Sequence, residues 1–308
     1  MNGIVFKSTG SWYIVQDNEG QFWESRIKGK LKIDNEISST NPVAVGDVVE
    51  FDIENEDTRT GIIKSIADRH NYMIRVSPHN HNQKHIIASN IDIALLIATI
   101  TEPRTSTGFI DRFLLTAEAY HIPAIIAINK TDLLKPKQQE ILQHWTAIYT
   151  RAGYPVYPVV AREPASLHAL MERLKDKITL FSGHSGVGKS TLINSMLPGM
   201  ELKTSEISAW SGKGLHTTTF AEMHLLPGGG KIIDTPGVKE FGLIDIEKKE
   251  LSQFFPEMRP LIPQCKFTNC LHQNEPGCAV IAAAEAGKIA EERYYSYLSI
   301  LDTIVVKW

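Results

Sequence analysis

The stretch that most restricts the fold is residues 178–196. Ile178-Thr179-Leu180-Phe181 is an apolar run, Gly183-His184-Ser185-Gly186-Val187-Gly188 is a glycine-rich loop, and Lys189-Ser190-Thr191 opens a segment with helical character to Met196. A strand that breaks into such a loop and re-enters a helix is the setting of a phosphate-binding turn. Glycines let the backbone turn its N–H groups inward, and the helix adds the positive end of its dipole. Gly183, Gly186 and Gly188 are therefore expected around a β-phosphate, with Lys189 as the cation on the β- and γ-phosphates and Ser190 as a hydroxyl ligand for Mg²⁺.

The surrounding chain repeats the alternation. Residues 91–100, 122–128, 154–160 and 178–181 read as buried strands, whereas 109–120, 136–152, 166–177 and 189–196 have helical spacing. Apolar strands alternating with amphipathic helices predict a mainly parallel, doubly wound sheet over 71–245. Residues 220–226 and 231–234, joined through Pro227-Gly228-Gly229-Gly230, predict a hairpin at its edge.

Two further words complete the phosphate loop. Asp234-Thr235-Pro236-Gly237 follows the β-run 231–233; Asp234 is expected to hold Mg²⁺ and the Gly237 N–H to sense a γ-phosphate. Asn129-Lys130-Thr131-Asp132 ends the strand at 122–128, where α/β sheets bind ligands. Asp132 suits the guanine N1–H and exocyclic amine, a donor pair that adenine lacks. Asn129 would brace the loop and Lys130 would lie along the base. Between the loop and Asp234 stand Thr217, Thr218 and Thr219, any of which could close over Mg²⁺ and the γ-phosphate; Thr218 is preferred. They follow Gly212-Lys213-Gly214, a segment suited to a switch. Val238 occupies the position where a Ras-like site carries its water-orienting glutamine. Slow intrinsic hydrolysis follows, with His216 as the nearest candidate to help, or merely a surface histidine.

Residues 1–70 read as five short strands, which suits a small OB-type barrel, although periodicity does not distinguish it from other small barrels. Its basic stretch Arg26-Ile27-Lys28-Gly29-Lys30-Leu31-Lys32 is either a solvated loop or a phosphate-backbone patch. Net charge is −3, so any nucleic-acid contact must be local. The three cysteines lie between residues 265 and 278 as Cys265-x4-Cys270-x-His272-x5-Cys278. This odd, clustered set in a chain without an export pattern points to one structural zinc on a closed Cys₃His site rather than to disulfides. The helical segment 246–308 contains it. Residues 70–85, with His70, His79, His81 and His85, read as a polar linker or RNA-facing arm rather than a second metal site. No apolar run approaches the roughly 20 residues of a membrane span, so a cytoplasmic protein without membrane contact is expected. No heptad seam suggests a dimer, so a monomer is expected.

The base-reading word precedes the phosphate loop, the reverse of the usual order. These words in this order resemble the circularly permuted GTPases. With a barrel in front and the cysteine knot behind, the layout is similar to the small-ribosomal-subunit-dependent GTPases of the RsgA (YjeQ, YloQ) family. The specific stretches are 183–190, His216-Thr217-Thr218-Thr219 and Glu275-Pro276-Gly277-Cys278-Ala279-Val280. The resemblance implies an N-terminal OB-fold, a permuted GTPase and a zinc-knuckle domain. It also implies late maturation of the 30S subunit, with GTP hydrolysis stimulated by that subunit and its 16S rRNA as partner. Two departures stand out. Val159-Val160-Ala161-Arg162 replaces a Ser-Ala-like base-supporting word, leaving that contact to the backbone near Ala161, and Leu215 stands where a polar or basic residue is usual. The order also leaves Asp234 close in sequence to the zinc segment, suggesting that nucleotide state passes along the chain into it. An RNA-binding scaffold with GTP as a slowly turned-over ligand is the alternative; an ATPase would lack Asn129 and Asp132 in this word.

Overall fold

The computed structural model describes residues 1–27, 29, 42–77, 80–197, 199, 221–235 and 246–304. Of the basic stretch, Lys28 and residues 30–32 lie outside these, as do His216, Thr217, Thr218, Thr219 and Gly237.

Five strands close a barrel: β1 (Asn2–Ser8), β2 (Tyr13–Asp17), β3 (Phe22–Ile27), β4 (Val48–Asn55) and β5 (Thr60–Ile66). Their order is β1-β2-β3-β5-β4, and β4 pairs back onto β1; only β3–β5 is parallel. This is the OB topology that the strand count alone left open. Alternate residues Val5, Tyr13, Val15, Trp23, Val49, Phe51 and Ile63 fill it. The β1–β2 register shifts between Val5 and Lys7. A bulge there breaks the alternation: Val5 enters the barrel core, while the next residue, Phe6, packs into the main core of the neighbouring sheet.

The segment expected to be a polar linker is a hairpin, β6 (Tyr72–Ser77) with β7 (Asn80–Ser89). Its ends are apolar, and Met73 and Ala88 are fully buried, so burial at the ends decides its state despite the polar middle. The buried Asp47 carboxylate ties it to the barrel, accepting from Arg69 Nε at 2.7 Å, Ser89 Oγ at 2.5 Å and the Ala44 N–H at 2.8 Å.

The central unit runs β8 (Ile93–Ala98), α1 (Thr107–Ala119), β9 (Ala124–Ile128), α2 (Pro136–Arg151), β10 (Val156–Pro158), α3 (Pro164–Leu174), β11 (Ile178–Gly183), α4 (Lys189–Met196), β12 (Glu222–Leu225) and β13 (Lys231–Asp234). The sheet order is β10-β9-β8-β11-β13-β12, parallel except for β12, which is antiparallel to β13. Every residue of β8 and β9 is buried, as strands covered on both faces require. The free edge of β12 pairs with β1, so barrel and central sheet form one run of hydrogen-bonded strands. That pairing covers what would otherwise be an exposed edge.

The remainder is helical. Short 3₁₀ turns at Leu251–Phe254 and Ile262–Gln264 precede α5 (Ala279–Glu285) and α6 (Glu291–Thr303), with the break at 286–290 where Gly287 takes φ 68°. At the start of the segment read as helical, 246–308, residues 247–255 form only the first of these turns. Leu115 of α1 joins this module's core with Leu251, Phe255, Met258 and Tyr297. No helix among the described residues is long and apolar enough to cross a membrane.

Candidate functional site

The three words described by the structure meet at the carboxyl ends of β9, β11 and β13. β8 lies between β9 and β11, so the base word and the phosphate loop are two strands apart and must be joined by side chains. Asn129, 2% exposed, makes that join: its Nδ2 donates to the Val187 carbonyl at 2.8 Å, and its Oδ1 accepts from the Ala161 N–H at 2.9 Å. Lys130 has φ 62° and donates from Nζ to the Gly186 carbonyl at 2.9 Å and to the Glu102 carbonyl. Thr131 Oγ1 donates to the Val159 carbonyl at 3.2 Å. Asp132 follows in a short 3₁₀ turn with its side chain exposed. The amide at Ala161 is thus already used by Asn129. The neighbouring Arg162 N–H makes no hydrogen bond with a described residue.

The loop needs its glycines for a measurable reason. Gly188 has φ 92°, and a Cβ there would stand 2.4 Å from Asn129 Nδ2. Val187 is fully buried and anchors the loop, whereas Ser185 is exposed and Ser190 and Thr191 are half-buried. His184 packs its ring on Phe109 of α1, centroids 3.6 Å apart, and burial lowers its pKa, keeping it neutral at pH 7. Phe109 and the Thr99–Thr105 loop after β8 had no sequence signal. They matter because β8 is the strand between the two words; Pro103 lies 3.4 Å from a Cβ built on Gly186.

Lys189 forms an ion pair with Asp234 and donates to the Thr235 carbonyl at 2.8 Å. Asp234 is 2% exposed, and in that nearly dry place the lysine is its ion-pair partner. The donor set fits magnesium: a buried carboxylate and a serine hydroxyl at the first turn of α4 are hard oxygen ligands.

The second cluster is in the helical module. One ligand atom each from Cys265, Cys270, His272 and Cys278 lies within 4.8 Å of all the others. Cys265 Sγ is 3.9 Å from Cys278 Sγ and 3.6 Å from His272 Nδ1, and Cys278 Sγ is 3.2 Å from that nitrogen. A tetrahedron with Zn–S near 2.3 Å and Zn–N near 2.0 Å has edges of about 3.8 and 3.5 Å, so the donors fit a zinc ion. The frame around them is hydrogen-bonded. Tyr294 and Tyr297 hydroxyls donate to the His272 and Leu271 carbonyls at 2.8 Å each. Glu275 accepts from the Leu271 and Gln273 N–H groups at 2.7 and 2.8 Å. No second group of three or more histidine, cysteine or carboxylate side chains that could hold a metal occurs among the described residues.

An OB barrel joined to a P-loop sheet whose base word precedes its phosphate loop, followed by a Cys₃His module, defines a circularly permuted GTPase. Comparison with known proteins agrees. The profile "RsgA GTPase" matches residues 66–244 and "RsgA N-terminal domain" matches residues 2–63. The small ribosomal subunit biogenesis GTPase RsgA of Flavobacterium psychrophilum is 52% identical over 303 residues, covering 98% of this chain and 93% of that one. Its namesake from Bacteroides fragilis is 50% identical over 302 residues, covering 98% and 96%. The crystal structure of YjeQ from Thermotoga maritima superposes with TM-score 0.81 at 31% identity, covering 100% of this chain and 99% of that one. YloQ, described as a circularly permuted GTPase, gives 0.77 at 29%, covering 100% and 96%. The chain belongs to the RsgA GTPase family.

Proposed function

We propose that this GTPase acts in biogenesis of the small ribosomal subunit, that the 30S subunit stimulates its hydrolysis of GTP, and that its barrel docks on 16S rRNA. The observation that carries the nucleotide assignment is the clasp in which Asn129 and Lys130 hold the Val187 and Gly186 carbonyls. It fixes the base word against the phosphate loop, which supports a single ligand that carries both a base and phosphates.

In this reading Asp132 reads the guanine edge, Lys130 lies under the base and Thr131 fixes the turn. The Arg162 N–H is the amide left for the base carbonyl. Backbone N–H groups of Gly183, His184, Ser185, Gly186, Val187, Gly188, Lys189 and Ser190 surround the β-phosphate, with Thr191 behind them. On hydrolysis a water oxygen bonds to the γ-phosphorus, the bond from that phosphorus to the β–γ bridging oxygen breaks, and GDP and phosphate result. Lys189 leaves Asp234 and places its ammonium on the β- and γ-oxygens, where charge develops. Ser190 and Asp234 would hold magnesium, which supplies further charge neutralisation when bound. Thr218 is proposed to close on the metal and Gly237 on the γ-phosphate. With Val238 in place of a glutamine, nothing at that position orients water, so unstimulated turnover is slow; His216 is the candidate that the subunit brings into play. The Cys₃His site would hold one structural zinc, its four protein ligands leaving no open position for chemistry. A cytoplasmic monomer is the state in which we place the chain.

Phosphate release measured with GTP alone, with 30S and with 50S subunits tests the whole. Strong stimulation by 30S only is expected; equal rates in all three would leave the RNA-scaffold reading, which the absence of glutamine at Val238 otherwise favours only in part. Excess GDP is expected to displace GTP, and excess ADP is not.

A further inference from the structure

One row of cross-strand partners runs from the barrel to the phosphate-loop strand: Ile14, Lys7, Glu222, Asp234 and Phe181 on β2, β1, β12, β13 and β11. Directly opposed residues of an antiparallel pair put their side chains on the same face, with Cβ atoms roughly 5 Å apart. Glu222 therefore stands beside Asp234 on the face that carries Lys189. Two carboxylates opposed in this way repel each other, and each has its own cation: Asp234 pairs with Lys189, and Glu222 pairs with Lys7 at 3.1 Å. The two pairs differ in setting. Asp234 is buried, whereas the Lys7 and Glu222 side chains are each 39% exposed. His224, two residues along β12, is kept below its ordinary pKa by burial and adds no charge at pH 7.

When Lys189 turns to the phosphates, Asp234 loses its cation and the Glu222 charge beside it is left facing the metal position. We propose that Glu222 is a positioning residue that strengthens magnesium binding at Asp234 through its negative charge, and that Lys7 of the barrel sets how much of that charge the metal feels. The barrel then acts on the nucleotide site through one ion pair on the strand that joins them. A subunit or RNA phosphate that draws Lys7 away would tighten metal binding without moving the fold. The inference rests on the reading of Asp234 as a magnesium residue.

The plain alternative is that Lys7–Glu222 is only a surface pair at a domain joint that adds little to stability. The two accounts differ in sign. The probe is Mn²⁺ added to the full-length GDP complex, with free Mn²⁺ counted by electron paramagnetic resonance and GDP affinity measured separately in EDTA. Glu222→Gln is expected to weaken Mn²⁺ binding about three- to tenfold, the scale of one charge roughly 8 Å from a dication in a mostly aqueous setting. Lys7→Gln is expected to tighten it by a similar or smaller factor, and the double variant to fall with Glu222→Gln. GDP affinity in EDTA should stay at the wild-type value in all three, and their melting temperatures should show each folded. Shifts in the same direction for both single variants, or none in either, would overturn the proposal. Asp234→Asn is the separate control: if it leaves Mn²⁺ affinity unchanged, the metal assignment itself fails, whatever the Gln variants do.

Discussion

The central sheet is held at two joints, and they are built on opposite principles. Where the barrel meets the central sheet, β1 lies along β12, the bulged Phe6 enters the core that also holds Met223, and the ion pair across the two strands is the half-exposed Lys7–Glu222; the buried Arg69–Asp47 pair ties the barrel to the β6–β7 hairpin instead. At the zinc-module joint, α6 lies against α1 and a buried charge is the keystone. Arg293, 2% exposed, donates from Nη1 to Asp111 Oδ1 at 2.8 Å and from Nε and Nη2 to Glu257 at 2.6 and 3.0 Å. Its guanidinium also lies 4.7 Å from the Phe255 ring centre and 5.7 Å from that of Tyr154. Burial works against its charge, but Asp111 and Glu257 win and hold its pKa above the ordinary arginine value. A backbone-paired joint with a solvated ion pair is adjustable by salt or a competing anion. A buried, bidentate network is close to all-or-none, since removing one partner strands the others without water.

The described contacts add a lateral route from nucleotide site to helical module beside the one expected along the chain. Proximity in sequence suggested passage along the chain after Asp234, but residues 236–245 lie outside the described set. The described contact is lateral. Phe109, under His184 of the phosphate loop, is two residues from Asp111, and both are on α1. Arg151 Nη1 to the Gly287 carbonyl at 2.9 Å and His144 to Glu292 at 2.5 Å add α2 to the same face.

The largest effect should come from the proposed zinc ligands. Cys278→Ala is expected to lose bound zinc and the protease resistance of residues 246–304, since structural zinc supplies folding free energy on the order of 10 kcal/mol in small modules. Intact resistance with no zinc bound would show that the Arg293 joint alone holds the module. Arg293→Ala is expected to destabilise by about 3–5 kcal/mol in urea unfolding, because Asp111 and Glu257 keep buried charges without a partner. A loss below about 1 kcal/mol would place this joint in the same class as the barrel's. Phe6→Ala should cost about 3 kcal/mol, felt as separation of the barrel from the sheet rather than unfolding of either. Limited proteolysis between residues 66 and 93 would report it. The smallest effect is the Lys7–Glu222 coupling. A double-mutant cycle should give no more than about 1 kcal/mol, shrinking in 1 M salt, while the Arg293–Asp111 coupling persists in that salt. Equal salt sensitivity would erase the distinction between the joints.

Much of this was legible because local rules and global fold agree. Strands 122–128 and 178–181 were apolar enough to be read as buried, and β9 and β11 stand there. The glycine loop announced its strand and helix, and the cysteine spacing announced its cluster. Other features left no trace. The β6–β7 hairpin hides behind four histidines, because its burial comes from Met73 and Ala88 touching residues far away in sequence. Phe109, Asp111, Glu222 and Lys7 look like ordinary helix and strand residues.

The sequence alone determined the chemical vocabulary: which groups can turn around phosphate, read a guanine edge or ligate a soft metal. Those capacities belong to residue types at short spacing, and short spacing survives in any fold. Which words meet, and what lies beside them, was decided by sheet order and register. β8 separates β9 from β11, so Asn129 must reach across to Val187. The β1–β12 pairing places Lys7 opposite Glu222, and the β12–β13 pairing places Glu222 opposite Asp234. The hairpin behind the second pair was legible in the sequence, but the first joins strands far apart in the chain, and no local pattern records it.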